Sequence, residues 1–579
     1  MRRQYFAAFR PGGLQPRDRQ RLQRLSERCQ LVVRFDDDTL AILSDPTLPV
    51  VACRRAIVLG QAFAQGSPDP RANFTEQERA LIERQGAAWL IRNTWGNYVV
   101  LSRSRDALAI TRSPFGDLGC CHFCEDGLWL VAPDAGTLRD AGTRGLMLDR
   151  TVLAWVLGRG ETIGSRTCLR GVGEVRGGAC FTTARTGTGQ IDCPWSPWTI
   201  AGTPHRDERE AIGDLVHNID TAVRGATTGH KAALVMISGG LDSSIVTASL
   251  VGSPVRFACM TLVSDDAAGD ERSYARLAAA AAGAELFEVD RCPATVDVRH
   301  SSTARLPWPT GRSFTQEADV STARLAGQLD ATAVIDGGGG DNVFCSHRSV
   351  AAVADCLLDR QALPHMLATA RALGDLAEAG LPNVLWRAMR RAWFRERRVH
   401  APIATSFLRP AAVGMALAQP DHPWLLAPNR ALPGKAVHIG LIAVAQAIIE
   451  SGYEATGIDR LSPLMSQPVV EACLRVPSWM WFAPGRDRAA ARRAFEDRLP
   501  MEIIDRRSKG SPNLFAATLV DRNRETLEQL LYDGVLAAEG LLDVDALRPV
   551  LSDPARIWSQ QFVRILRLAD VEAWARNWA

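Results

Sequence analysis

Cysteine is scarce in this chain. The thirteen in 579 residues are scattered without the spacing of a disulfide framework, which points to reduced thiols in a cytoplasmic protein rather than a secreted scaffold. Long apolar runs are missing too. None approaches the roughly 18 residues that cross a bilayer, and the start, MRRQYFAAFRPGG, lacks the apolar core of a signal peptide. An excess of one charge is also absent: the net charge is +3, which removes the electrostatic case for a nucleic-acid partner and leaves none for a membrane surface. The ten His form no ligand-spaced cluster. Cys120, Cys121 and Cys124 have no second pair at zinc spacing, so a metal-finger reading fails.

What remains is a globular composition, 46% apolar and 23% charged, in a chain long enough for several domains. The first 200 residues read as short strands separated by turns: QLVVRFDD, TLAIL, AAWLIR, NYVVLSR, ALAITR and LWLVAP. Near Arg206 the pattern changes. Helical spacing in DEREAIGDLVHNIDTAVR leads into alternating strands and helices, ALVMI, VRFACMTL, ELFEVD and TAVID, which argues for a parallel sheet covered on both faces. The expected division is 1–200 and 206–579, with the boundary in the Trp/Pro segment DCPWSPWTIAGTP. After Val350 the chain reads as mostly helical.

The chemistry concentrates in SGGLDSS, which follows a buried strand and opens a helix. Gly239 and Gly240 permit a tight turn and close backbone approach, while Ser238, Ser243 and Ser244 add hydroxyls beside unpaired helix N–H groups, a site suited to phosphate. Asp242 would repel that phosphate unless a cation such as Mg²⁺ lay between them. The Lys of the GxxxxGK[ST] loop is absent, so this is not that nucleotide site. A second candidate follows the strand TAVID: Asp336, Gly337 to Gly340, then Asp341, a second carboxylate for Mg²⁺ where open parallel sheets bind ligands.

SGGLDSS, GDERSYARLAAAAAGAELFEVD, the GGGGDN loop, RLSPLMSQPVVEACLRVP and GRDRAAARRAFEDRLPMEIIDRRSK, in that order, resemble the asparagine synthetase superfamily. LAITRSPFGDLGCCHFCEDGLWLVAPDAGTL is similar to its glutaminase-like half. The resemblance implies an N-terminal Ntn-type β-sandwich with helices. It implies a C-terminal parallel-sheet ATP-pyrophosphatase domain (adenine nucleotide alpha hydrolase-like) with helical additions, α/β and α+β together. By the same likeness ATP and Mg²⁺ are the cofactors: Asp242 and Asp341 hold the metal, Lys509 stabilises the polyphosphate, Gly337 and Gly338 line the nucleotide, and Cys259 borders the adenine.

Two departures from the family redirect the function. The catalytic N-terminal Cys of the glutaminases is missing, since position 2 is Arg2 and the first cysteine is Cys29, so the N-terminal domain is expected to be degenerate. Gly338 stands where the asparagine synthetases have Glu and the β-lactam-forming relatives Tyr. GGGGDN followed by Val-Phe resembles the lasso peptide cyclases, or macrolactam synthetases. That branch implies adenylation of an Asp or Glu side chain of a leader-free ribosomal peptide and attack by the peptide's own N-terminal amine. Its implied partners are the precursor core peptide, a leader peptidase and a leader-recognition protein. A β-lactam-forming synthetase and a non-catalytic peptide-holding scaffold are the alternatives. The glycines would keep walls out of a pocket that must hold a folded peptide. The amine, with an ordinary pKa of about 7.7–8.0, is partly neutral near pH 7.5 without a base at position 338. The Arg-rich stretch LWRAMRRAWFRERRVH, 385–400, is a solvated helix or a peptide contact.

Overall fold

The computed structural model describes the chain except residues 1–3, 105, 185–186, 206, 265–268, 395–402, 419–421, 453–456, 508–509, 511–512 and 554–560. Two six-stranded antiparallel sheets make up most of the first 192 residues. The runs Tyr5–Phe9, Leu40–Ser44 and Leu128–Ala132 pair in one sheet, and Ala56–Ala64, Thr94–Arg103 and Leu108–Arg112 in the other. Their facing side chains, among them Phe9, Ile42, Leu59, Leu101, Trp129 and Phe181, form a single apolar layer, which makes a sandwich. AAWLIR is not one of its strands. Residues Ala87–Asn93 form a helix that, with the helix Glu76–Gln85 capped by Thr75, covers the outer face of the second sheet. A short apolar run reads alike as buried strand or buried helix, and here packing on a sheet face decided it.

The second half carries a five-stranded parallel sheet in the order Leu286–Asp290, Arg256–Val263, Ala232–Met236, Ala333–Ile335, Asp459–Leu461. Its strands Ala232–Met236 and Ala333–Ile335 are apolar throughout because both faces are covered. Ala233, Val235, Cys259 and Ile335 face one core, and Leu234, Met260 and Val334 face the other. The chain moves outward from Ala232–Met236 through the next two strands and then returns to its other side at Ala333–Ile335. The topological switch therefore lies between the two strands that precede SGGLDSS and GGGGDN. Ligands in open parallel sheets bind at such a point, outside the strand carboxyl ends.

The two halves share their cores. Helices Asn513–Arg522 and Gln561–Ala575, close to the C-terminus, pack with Phe6, Leu22, Leu130 and Leu153 in one cluster on the outer face of the first sheet. The Trp/Pro segment is a packed seam: Trp195 Nε1 donates to Glu471 Oε1 at 2.8 Å, and Trp198 Nε1 to the Trp424 carbonyl at 2.8 Å. All thirteen cysteines are free thiols. Among the described residues, no helix is long and apolar enough to cross a membrane.

At the seam, Glu450 of helix Pro433–Glu450 meets two guanidiniums from the sandwich half, Arg112 at 2.8 Å and Arg176 at 3.0 Å. Arg176 also pairs with Glu174, whose carboxylate accepts Trp308 Nε1 at 2.7 Å. Burial pushes the Glu450 carboxyl up, but Arg112 and Arg176 outweigh it and hold it below the usual carboxylate range. Removing one partner of a buried set leaves uncompensated charge, at a cost of about 3–5 kcal/mol. Glu450→Ala is therefore expected to destabilise the chain by about that amount. Chemical denaturation checks this; an unchanged midpoint would show that the seam does not depend on the ion pairs.

Candidate active site

At the switch point the backbone leaves strand Ala232–Met236, turns at Gly239 with φ +62°, and enters helix Leu241–Leu250. A Cβ on Gly239 would lie 2.2 Å from the backbone of Tyr274, so both the turn and the close approach require glycine. Ser238 Oγ accepts the Gly240 N–H at 3.3 Å, and Ser243 Oγ donates to the Gly240 carbonyl at 3.3 Å. The helix's first turn opens onto a cavity of about 520 Å³, with the orphan N–H groups and positive dipole end that suit phosphate.

The loop after Ala333–Ile335 meets this turn from the other side. A Cβ on Gly337 would lie 2.6 Å from Ser243 N, and one on Gly340 would lie 2.4 Å from Asp242 Cβ. Gly339 has φ +79° and faces Met465. The expectation that these glycines keep walls out of a substrate pocket is corrected on this point. They let two loops and a methionine pack against one another, and at each of the four an added Cβ would meet protein atoms, not open space.

That packing brings Asp242 and Asp341 together. Arg488 Nη1 donates to Asp242 Oδ1 at 3.0 Å and to Asp341 Oδ1 at 2.6 Å. Burial works against the Arg488 cation, but Asp242, Asp487 and Asp341 outweigh it and raise its pKa. Two carboxylate oxygens converging on one cationic atom also suit a hard divalent cation whose shell is completed by phosphate oxygens and water. Among the described residues no cluster of three or more His, Cys, Asp or Glu could hold a metal, so the donor set fits Mg²⁺ together with a nucleotide rather than as a protein-caged ion.

Of the residues expected at the nucleotide, Ser238, Gly240, Asp242, Ser243, Gly337, Gly338 and Asp341 line the cavity. Gly239 shapes the turn behind them. Two do not reach it. Ser244 is fully buried on the inner face of its helix, and Cys259 sits in the core, its thiol pushed up to about 12 by burial; Met260, the next residue along the pleat, and Thr261 and Leu262 beyond it line the cavity instead. Lys509 lies outside the described residues, as do residues 395–400 of the Arg-rich stretch. Up to there, the helix Leu381–Trp393 leaves Trp386, Trp393 and the following Phe394 61%, 57% and 81% exposed.

Several cavity residues were not singled out from sequence. Arg506 Nη1 donates to the Ser238 carbonyl at 2.9 Å, its Nη2 bonds Glu271, and its guanidinium lies 4.1 Å from the centre of the Tyr274 ring. Glu271 in turn accepts the Gly510 N–H at 3.1 Å, which ties Gly510 to the cavity wall. Arg488, Arg506 and Glu271 all lie inside strings that carried the family resemblance, so a signal existed, but nothing in the strings ranks one arginine above the next.

The cavity adjoins a second one of about 370 Å³. Asp336, Gly338, Gly339, Asn342 and Arg460 line both. Phe63, Trp95, Asn97 and Asp117 wall it from the sandwich half, and Ile449, Met465, Arg312 and Asp319 from the sheet half; no cysteine among the described residues lines it.

A switch-point cavity with a phosphate-type turn, two convergent carboxylates and flanking arginines defines a nucleotide-using enzyme of the parallel α/β class. Residues 214–576 match the asparagine synthase family model. The chain belongs to that family and is by that membership an ATP-dependent carbon–nitrogen ligase. Solved structures to which it is similar include the following. One is described as the allosteric regulatory enzyme of purine biosynthesis (10% identity, 51% of this chain and 82% of that one, TM-score 0.22). The second is the glutamine phosphoribosylpyrophosphate amidotransferase of B. subtilis complexed with ADP and GMP (9%, 57% and 90%, TM-score 0.22). The third is NAD⁺ synthetase from Burkholderia pseudomallei (15%, 48% and 92%, TM-score 0.17). Similarities this weak say nothing of the chemistry here. No curated protein matches the chain.

Gly340→Ala forces a methyl group into Asp242. Overpacking costs about 1–3 kcal/mol, so the variant is expected to bind a non-hydrolysable ATP analogue about 10- to 100-fold more weakly. Titration calorimetry measures this; unchanged affinity would place the nucleotide elsewhere.

Proposed function

We propose that this ligase is a lasso peptide cyclase. It adenylates an Asp or Glu side chain of a leader-free ribosomal peptide and joins it to the peptide's N-terminal amine, releasing AMP and pyrophosphate. The observation that carries the reading is the pair of adjoining cavities. About 370 Å³ is in the range that accepts a peptide fragment and far exceeds what ammonia needs.

In this reading the first turn of helix Leu241–Leu250 binds phosphate, and Arg506 and Lys509 offset charge on the departing pyrophosphate. Asp242 and Asp341 would hold Mg²⁺, which when bound supplies further charge neutralisation at the polyphosphate. Arg488 keeps those two carboxylates side by side. The second chamber orients the peptide so that its amine and activated carboxyl meet, and this positioning supplies much of the rate. The precursor peptide, its leader peptidase and a leader-recognition protein, all cytoplasmic, are the partners this reading implies.

Purified protein, ATP, MgCl₂ and a leader-free peptide with a free N-terminus and an Asp or Glu about eight residues along are expected to yield a product lighter by one water, with AMP formed. Ala at Asp242, Asp341 or Lys509 is expected to cut product about 100-fold or more with an unchanged circular dichroism spectrum. ADP in place of AMP, or full activity of all three variants, would overturn the mechanism. Ring closure confined to small amino-acid derivatives would favour a β-lactam-forming synthetase, and peptide binding without AMP a scaffold.

A further inference from the structure

Where the two cavities meet, Gly338 offers no side chain, yet two carboxylates stand behind it. Asp336, at the end of strand Ala333–Ile335, takes three donors: its Oδ1 accepts the Gly338 N–H at 2.9 Å and Ser462 Oγ at 2.6 Å, and its Oδ2 accepts Arg460 Nε at 2.9 Å. Asp319, reaching in from helix Gln316–Gln328, is bonded differently. Its Oδ1 accepts the other side of the same guanidinium, Arg460 Nη1, at 3.1 Å, and Thr315 adds a side-chain hydrogen bond. Asp319 lines the second chamber, and Arg460 and Asp336 line both.

The geometry also accounts for glycine at 338. A Cβ there would lie 2.7 Å from Asp336 Oδ1 and 3.1 Å from Ser462 Oγ. Asp336 cannot yield cheaply, because three donors fix it. A side chain at 338 and the Asp336–Arg460–Asp319 arrangement therefore compete for one space, and this chain has the arrangement.

Resting on the cyclase reading, we propose that Asp319, oriented by Arg460, is the group that takes the proton from the attacking amine. The amine nitrogen forms the new C–N bond, the bond from the acyl carbon to the AMP oxygen breaks with its electron pair leaving on AMP, and the surplus N–H proton passes to the Asp319 carboxylate and then to water in the second chamber. Asp336 holds the other side of the Arg460 guanidinium and so keeps it in place.

The electrostatics agree with this division. Burial pushes the Asp319 carboxyl up to about 6, with Arg460 opposing and Asp336 adding to the rise. The elements packed against its helix, Ala232–Met236, Pro293–Thr295 and Ser313–Thr315, contain no titratable side chain, and Ala333–Ile335 leads directly into Asp336. His230, Arg312 and Asp459 also line the chamber. A carboxylate that gains its proton near pH 6 is ionised and able to act as a base at neutral pH, and loses that capacity as pH falls below about 6.

Asp319→Asn separates this assignment from the reading beneath it. With the peptide probe described above, ATP–pyrophosphate exchange reports adenylation and mass spectrometry reports the macrolactam. The variant is expected to keep exchange at the wild-type rate while amide formation falls about 100-fold or more, with Asp319→Glu restoring part of it. In wild type, the plot of log rate of amide formation against pH steepens by one further unit of slope below about pH 6, and in Asp319→Asn that added step disappears. Retained exchange with an unchanged amide rate and an unchanged profile overturns the role of Asp319 alone. Loss of exchange together with amide formation in Asp319→Asn also overturns it, by making the residue structural. No exchange in wild type removes the cyclase reading and this inference with it.

Discussion

The site depends on one close contact, between the loops that follow two neighbouring parallel strands. Gly337 and Gly340 have no Cβ, so the second loop settles on the first turn of helix Leu241–Leu250 at distances no side chain would allow. Asp242 and Asp341, 99 positions apart along the chain, consequently reach the same nitrogen of Arg488. Two like charges forced together need a shared cation, and the guanidinium is that cation here. A nucleotide-borne metal would draw on the same two oxygens. Gly338 and Gly339, where the two cavities meet, belong to the same loop.

A second constraint operates at larger scale. The sandwich and the parallel sheet do not meet as separate bodies, because the chain's last helices complete an apolar cluster begun by its first strands. Across this seam Glu450 holds two arginines of the other half. Such a buried set adds little net stability over an apolar contact, but it is intolerant of losing one member, so it fixes how the halves register. The register matters because the second chamber has walls from both.

Four of the five strands of the parallel sheet, the phosphate turn and the two acids beside the loops were legible in the sequence. SGGLDSS and GGGGDN are local patterns, and a strand buried on both faces announces itself as an unbroken apolar run. The same rule misled at AAWLIR, where burial on a sheet face made a helix look like a strand. It passed over Asp459–Leu461, three residues whose strand character comes from pairing with Ala333–Ile335 alone. Cys259 shows the limit of placing a residue by its strand. The pleat sends Cys259 and Met260 to opposite faces, and it is Met260 that reaches the cavity. The two throat acids, Asp319 and Asp336, differ for a related reason: only Asp336 adjoins a recognisable loop, whereas Asp319 sits in an unremarkable helix.

The amino-acid order by itself determined which backbone segments could turn sharply, which runs would be buried on both faces, and which acids lay next to the phosphate turn. These follow from local sterics and hydrophobic periodicity. Tertiary structure alone decided that Arg488 and Arg506 face the cavity while their neighbouring arginines do not, that Asp319 shares a guanidinium with Asp336, and that a chamber opens between the halves. Each of those depends on bringing together side chains 100 or more residues apart, and no local rule specifies which of many similar charges will meet.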